Sequence, residues 1–479
     1  MLQFLVGKVN EVLYGFEKES GFFFPGLLII VLLIGGFYFT VRSRFSQFRL
    51  LGAQFKAVSE KPKDKKGVSS FQALMVSTAS RVGTGNIIGV STALCLGGFG
   101  SIFWMWVIAL VGAASAFVES TLAQIYKKRG KEGSYGGPAY YIEAALKCKP
   151  LAMVFVVCLI LTYGVGFNML ASYNLQSTFS GYSFYNASVT PWIIGAIVAL
   201  LVGICLMGGG KRILKVTGLL VPVMGVIYVL IALLIMALNI TALPGIFARI
   251  FKEAFDFGAI FGGFSGSCIM YGIKRGLYSN EAGVGSAPNA SASAEVKHPV
   301  QQGLVQVLSV FIDTIVICSA TAFMCLASGV EPTAELSGAP YVQVALSTTL
   351  GAFGPIFITV AMVLFAFTTL IGNFYYVEQG FAYLLGRVPG KVFLRVSYVI
   401  ASILIFVGAG LSAGLLWDIS DGMMGIMTLI NIPVIIILGK YAMRALKDYD
   451  RQRKAGKEPV FRAKNIGLPH ETDYWQDEE

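Results

Sequence analysis

Ser77-Thr-Ala-Ser-Arg-Val-Gly-Thr-Gly-Asn-Ile-Ile-Gly-Val90 sets three glycines and a charge inside an otherwise apolar segment of membrane length. In lipid every backbone N–H and C=O must find a partner, so a helix interrupted at Gly83 and Gly85 is tolerated only where it faces protein or a water-filled cavity. The interruption frees amide donors and carbonyl acceptors at membrane depth, groups suited to a carboxylate and a small cation. The rest of the chain is expected to be scaffold around that break.

The composition agrees. The 479 residues are 56% hydrophobic and 13% charged, with a mean hydropathy of +0.71, too apolar for an ordinary soluble protein. Windows of about 20 apolar residues, the length a bilayer core requires, predict eleven helical spans: 21–41, 71–97, 99–124, 150–172, 190–209, 214–238, 255–280, 302–328, 350–376, 392–412 and 416–440. The net charge of +11 would suggest nucleic acid on a soluble domain, but here it sits in loops between spans. Arg42 to Lys66 follow the first span, and basic groups recur after spans 3, 5, 7 and 9 (Lys127 to Lys131, Lys211 to Lys215, Lys274, Arg275 and Lys297, Arg387 and Lys391) and in the tail. The other side holds only Lys8, Lys18, Arg249 and Lys252. The positive-inside rule then places the N-terminus outside and the tail in the cytoplasm.

The expected organisation is an extracellular N-terminus (1–20), a peripheral transmembrane helix (21–41), a basic cytoplasmic linker (42–70), two five-helix repeats (71–238 and 239–440) and a cytoplasmic tail (441–479), solvated from Asp448 to Glu479. Five spans per repeat force the two halves into opposite topologies. Each half would begin with a glycine-interrupted helix, the second through Gly262-Gly-Phe-Ser-Gly266, and such a pair marks a midplane transport site.

Each polar group has a functional and a bland reading. The amides of Gly83, Thr84, Gly85 and Asn86 can meet a carboxylate at the positive end of a half-helix, or Gly85 and Gly89 can be a packing face. Thr368 and Thr369 can join the carbonyls of Ala79 and Val82 in an all-oxygen sodium site, or bond back to the preceding turn. Asn373, one turn beyond Thr369, can line the pocket or bond to another helix. The run Arg275-Gly-Leu-Tyr-Ser-Asn-Glu-Ala-Gly-Val-Gly-Ser-Ala-Pro288 reads as a cytoplasmic gate in which Glu281 pairs with Arg275 or Arg81, or as a capped rigid loop. Arg81 itself needs a buried partner, for gating or structure. No carboxylate is evident beside the break, which counts against proton coupling.

Catalytic signatures are missing: there is no HExxH, P-loop, nucleophile elbow or metal-spaced histidine pair. His298 and His470 are expected to be solvated, and the seven scattered cysteines suggest neither disulfides nor a transition-metal site. An enzyme is therefore not expected, nor an organic cofactor or a nucleic-acid partner.

Arg81 to Gly89, Gly136-Gly-Pro-Ala-Tyr-Tyr-Ile-Glu143, Arg275 to Pro288 and Phe365 to Tyr376 together resemble the alanine or glycine:cation symporter (AGCS) family, over about residues 65–440. The resemblance implies an all-α membrane protein with a LeuT-type 5+5 inverted-repeat core and an added N-terminal helix. It implies sodium-coupled uptake of a small neutral amino acid across a prokaryotic cell (inner) membrane, with the lipid bilayer as surroundings and a monomer as the working unit. By position, Thr84, Gly85 and Asn86 match the family's substrate-binding break, Thr369 a pocket hydroxyl, and Ala79, Val82, Thr368 and Thr369 the sodium positions. Two departures stand out: Asn373 where the family usually has Trp, and Ala171 where it has Gln. They suggest a larger or more polar substrate than alanine, such as glutamine or serine. A proton-coupled or exchange transporter, or a sensor derived from one, would share the same scaffold.

Overall fold

Apolar runs of this length satisfy their own backbone only as helices. The computed structural model, which describes residues 2–17, 23–62, 67–130, 133–256, 264–468 and 472–475, is helical almost throughout. α1 (Leu2–Tyr14) precedes the first span, α2 (Leu27–Arg42). The second span is discontinuous: α3 (Ser70–Arg81), then Val82 and Gly83 outside any helix, then a π-helical turn (Gly85–Gly89) leading into α4 (Val90–Gly97). α5 (Gly100–Ile125) follows. α6 (Lys149–Leu159) and α7 (Phe167–Ser177) form one rod through π-helical Ile160–Gly166.

Beyond these come α8 (Thr190–Leu206), α9 (Gly209–Leu238), amphipathic α10 (Leu243–Ala254), α11 (Phe264–Asn280) and the short α12 (Pro288–Ser293). α13 (Pro299–Val310) runs through π-helical Phe311–Cys318 into α14 (Ser319–Leu326). α15 (Ala339–Leu350), α16 (Phe353–Leu385), α17 (Lys391–Ala409) and α18 (Ala413–Lys454) complete the chain of helices.

Among the described residues seven continuous rods are long and apolar enough to cross a membrane. The shorter α2 and α8 and the two interrupted pairs, α3 with α4 and α11 with α12, fill the remaining spans read from hydropathy. α5 packs along α11 and α13, while α3 lies against α9 and α16. Large apolar side chains such as Leu200, Leu219, Leu230 and Val392 face outward, as a lipid-facing surface requires.

Several expectations change. Lys274 and Arg275, counted above as loop charges, lie inside α11, where both bond Asp421 Oδ2 at 2.9 Å. The first residues form α1, whose Asn10 amide and Tyr14 hydroxyl donate to the carbonyls of Asp418 and Asp421 on α18 (3.0 and 3.1 Å). Gly262 and Gly263 lie outside the described residues, as does His470.

The tail is docked rather than solvated. The Phe461 amide donates to Lys297 O (2.9 Å), and the Trp475 indole donates to Gln124 O (2.7 Å). The Lys127 ammonium donates to Ala294 O (2.9 Å) beneath the Tyr474 ring (3.8 Å). One residue on, the Glu295 amide donates to Val68 O (2.9 Å), tying the entrance of α3 to the same platform. His298 is buried between the Tyr449 and Phe461 rings, 3.5 Å from Asp448.

Tyr474→Ala with Trp475→Ala should lower thermal stability by about 1–3 kcal/mol through lost apolar contact and cation–π attraction; unchanged melting would show that the tail rests on this face without holding it. Burial holds the His298 imidazole below its ordinary range. The unfolded chain therefore binds that proton first, and stability should fall as pH drops below about 6.5. Melting curves of wild type and His298→Asn across that range check this, with the variant losing that component.

Candidate functional site

α3 starts on a capping box, in which Ser69 accepts from the Gln72 amide and the Gln72 side chain accepts from the Ser69 amide. It runs to Arg81 and stops because Val82 leaves helical geometry (φ −76°, ψ 87°). Asn86 caps the second half: its Oδ1 accepts from the Gly83 amide at 2.8 Å, and its Nδ2 donates to Asp313 Oδ1 at 2.7 Å. The amides of Thr84 and Gly85 open the half-helix, where no preceding turn supplies carbonyls. Every residue from Ala73 to Val90 is buried, so the break is closed off from both faces.

A second interruption is buried inside the protein. α11 ends at Asn280, Glu281 to Ala287 leave the helix while fully buried, and α12 resumes at Pro288. Gly283 (φ +84°) and Gly285 (φ +89°) take left-handed geometry that costs other residues energy. Glu281 adopts it as well (φ +52°), a strain of order 1 kcal/mol that persists only where surroundings enforce it. The run Arg275–Pro288, read above as a gate or a capped rigid loop, is thus the end of α11 followed by a buried, non-helical segment, with the Asn280 side chain accepting from the Ala282 amide at 3.0 Å. Glu281 pairs with neither arginine. Its Oε1 accepts from Ser80 Oγ (3.0 Å) and its Oε2 from Ser286 Oγ (2.7 Å). A buried carboxyl does stand beside the first break, contrary to expectation.

Arg81 donates through Nη1 to Gln306 Oε1 at 2.9 Å, and its Nε and Nη2 have no partner. Arg275 bonds Asp421 and lies over the Trp417 ring at 3.9 Å. Trp417, Tyr278 and Phe167 pack in turn as tilted ring pairs, with ring centres 4.9 and 4.7 Å apart, over the half of the break that leads to α4. Tyr278 reaches Gly85 itself, since a methyl group there would come within 2.7 Å of its ring.

α16 closes the other side. A methyl group on Gly83 would overlap the Thr369 hydroxyl, and one on Gly372 would come 2.9 Å from the Ser80 nitrogen. Thr369 Oγ1 is buried with no partner. Thr368 follows the bland reading, donating to Leu364 O at 2.9 Å. Asn373 receives Ser80 Oγ on its Oδ1 (2.7 Å) and donates to Asn168 Oδ1 (3.0 Å).

Asn168 was not singled out from sequence, nor was Asn174, which donates to Thr84 Oγ1 at 3.1 Å. Their signal was present: Asn168, Ala171 and Asn174 recur every three residues along one side of α7. Ala171 is buried midway between the two amides. Asn168 Nδ2 and Asn174 Oδ1 are, like Thr369 Oγ1, buried without partners.

The family described as the sodium:alanine symporter family matches residues 10–463. "Amino-acid carrier protein AlsT" of Bacillus subtilis is 46% identical over 452 residues, 94% of this chain and 95% of that protein. "Probable sodium/glutamine symporter GlnT" of the same organism is 42% identical over 464 residues, 96% of this chain and 93% of that one. Among solved structures, MhsT in complex with L-phenylalanine matches with a TM-score of 0.51 at 14% identity, covering 85% of this chain and 95% of that chain. That likeness shows the fold, of the LeuT type.

Where the breaks touch α16, an added methyl group should cost roughly 1–3 kcal/mol of overpacking. Gly83→Ala and Gly372→Ala should therefore melt several degrees below the parent, while Gly52→Ala and Gly245→Ala, with open space around them, should not. Equal melting of all four would mean that the helices do not close as tightly as described.

Proposed function

Because the chain belongs to the sodium:alanine symporter family, whose members couple amino acid transport to sodium and are not enzymes, we propose that its transport site is the break at Val82 to Asn86. The substrate carboxylate meets the amides of Thr84 and Gly85 at the positive end of the half-helix, and Gly83 and Asn86 shape the turn that presents them. Sodium takes the carbonyls of Ala79 and Val82 with the hydroxyl of Thr369, an all-oxygen set suited to a hard cation. The single observation that carries this reading is Thr369 Oγ1, buried without a partner against Gly83. Thr368, already bonded to Leu364 O, contributes at most a lone pair.

The substrate side chain points to Asn373, Asn168 and Ala171. Spare amide atoms beside a small alanine favour a neutral side chain that is polar and longer than a methyl group. The name of the relative GlnT, a probable sodium/glutamine symporter, supports glutamine as the first candidate, with serine and alanine beside it.

Alternating access then opens one seal at a time. The outer seal is Tyr278, Trp417 and the pair of Arg275 with Asp421; the inner one is the Val68–Glu295 tie and the platform under the tail. Sodium and substrate favour the same closed arrangement, which couples them. The two repeats, 71–238 and 239–440, rock about the site in a multi-pass prokaryotic cell membrane protein, a monomer with its tail in the cytoplasm.

Uptake into proteoliposomes with and without an inward sodium gradient tests the reading, and accumulation indifferent to sodium would overturn it. Thr369→Val should raise the sodium concentration for half-maximal uptake by roughly tenfold, the loss of about one charge-assisted ligand contact, and Thr368→Val by much less. In competition against alanine uptake, glutamine and serine should compete at least as well as glycine; glycine and alanine excluding every larger substrate would reject the polar pocket.

A further inference from the structure

Ser80 has one hydroxyl hydrogen and faces two acceptors, Glu281 Oε1 at 3.0 Å and Asn373 Oδ1 at 2.7 Å. The Asn373 amide nitrogen is engaged elsewhere, donating to Asn168 Oδ1. One hydrogen cannot serve both contacts. The row closes if the carboxyl supplies a second: Glu281 O–H donates to Ser80, Ser80 to Asn373, and Asn373 to Asn168. Turning both amides end for end would also close it, but would leave a charged carboxylate, 1% exposed, at membrane depth. Among the described residues no Lys, Arg or His nitrogen lies within 4.0 Å of that carboxyl, and a buried charge without a close counter-ion costs several kcal/mol.

The charge balance around it points the same way. The field of Arg81 reaches Glu281, and the same guanidinium is shared with two other buried acids, Glu119 and Asp313. The titratable and charged groups facing Glu281 are Arg81 on α3, Asp313 in the π-helical run after α13, Tyr278 on α11, Tyr163 ahead of α7 and Tyr376 on α16. Three acids against one guanidinium call for positive charge from outside, and one sodium ion does not supply all of it.

We propose that Glu281 is a proton site of the transport cycle, holding a proton while the two helix breaks are closed against each other. When the site opens to one face, the carboxylate takes a proton from hydronium, forming the carboxyl O–H bond and leaving water. When it opens to the other, that bond breaks and the proton returns to water. The proton then travels with sodium and the amino acid. The left-handed backbone at Glu281 fits this role, because it aims the carboxyl back at Ser80 from the end of α11. The inference rests on the transport reading above.

The test uses the full chain in proteoliposomes loaded with a pH-sensitive dye, taking up alanine or glutamine down a sodium gradient. Wild type should acidify the lumen in step with uptake. Glu281→Gln keeps a donor toward Ser80 but cannot release a proton, so acidification per amino acid carried should vanish and uptake should lose its dependence on pH between about 5 and 8. Sodium-driven uptake by wild type without acidification, or an unchanged proton yield in Glu281→Gln, would overturn the proton site while leaving the symport reading intact. Absence of sodium-driven uptake at every pH would overturn both. Should Glu281→Gln fail to fold, Ser80→Ala removes the hydroxyl in contact with the carboxyl and should shift the pH midpoint of uptake by roughly half a unit or more; an unmoved midpoint would count against the proposal.

Discussion

A helix interrupted at membrane depth has no water to satisfy its free amides and carbonyls, and the molecule is built around meeting that demand. Two interruptions face each other, Val82-Gly83 in one span and Glu281 to Ala287 in another. Glycines at Gly83, Gly85 and Gly372 let α16 and Tyr278 come up against the first. The close approach is what buries the break, and it also brings the hydroxyls and amides of α7 and α16 within reach of it. Packing and polar chemistry are one requirement here, since small residues admit the neighbours whose polar groups then face the break.

Charge is handled with the same economy. On one side of the break Asp421 answers Lys274 and Arg275 at 2.9 Å each; on the other, carboxyls outnumber cations. Such an asymmetry is costly in a permanently closed protein and reasonable in one that fills and empties with cations. The tail adds a mechanical counterpart. Through Lys127, Ala294 and Glu295 it is continuous with Val68, just ahead of α3.

Much of this was legible in the sequence because it depends on local composition. Apolar run length marked the spans, and two glycines beside Arg81 marked the first break. Thr369 and Asn373, singled out from sequence, lie beside it, against Gly83 and Ser80. The interruption at Glu281 to Ala287 was not singled out as a break, because a polar run within a span and an exposed loop look alike in hydropathy; the run read as the second break, Gly262–Gly266, lies partly outside the described residues. Only burial distinguishes a polar midplane segment from an exposed loop, and the burial of Glu281 to Ala287 comes from α3, α5 and α18 packing around it. The tail misled for a similar reason, its charged residues hiding the few aromatic anchors that dock it.

The sequence by itself determined the class of protein, the spans and the position of the first break, because each follows from the cost of an unpaired backbone or a charge in lipid, paid residue by residue. Tertiary structure alone decided which threonine is free, which arginine is paired, and that Glu281, Ser80, Asn373 and Asn168 form one row. Those four residues lie on four separate segments of the chain, and hydrogen bonds between segments depend on packing that no local pattern encodes.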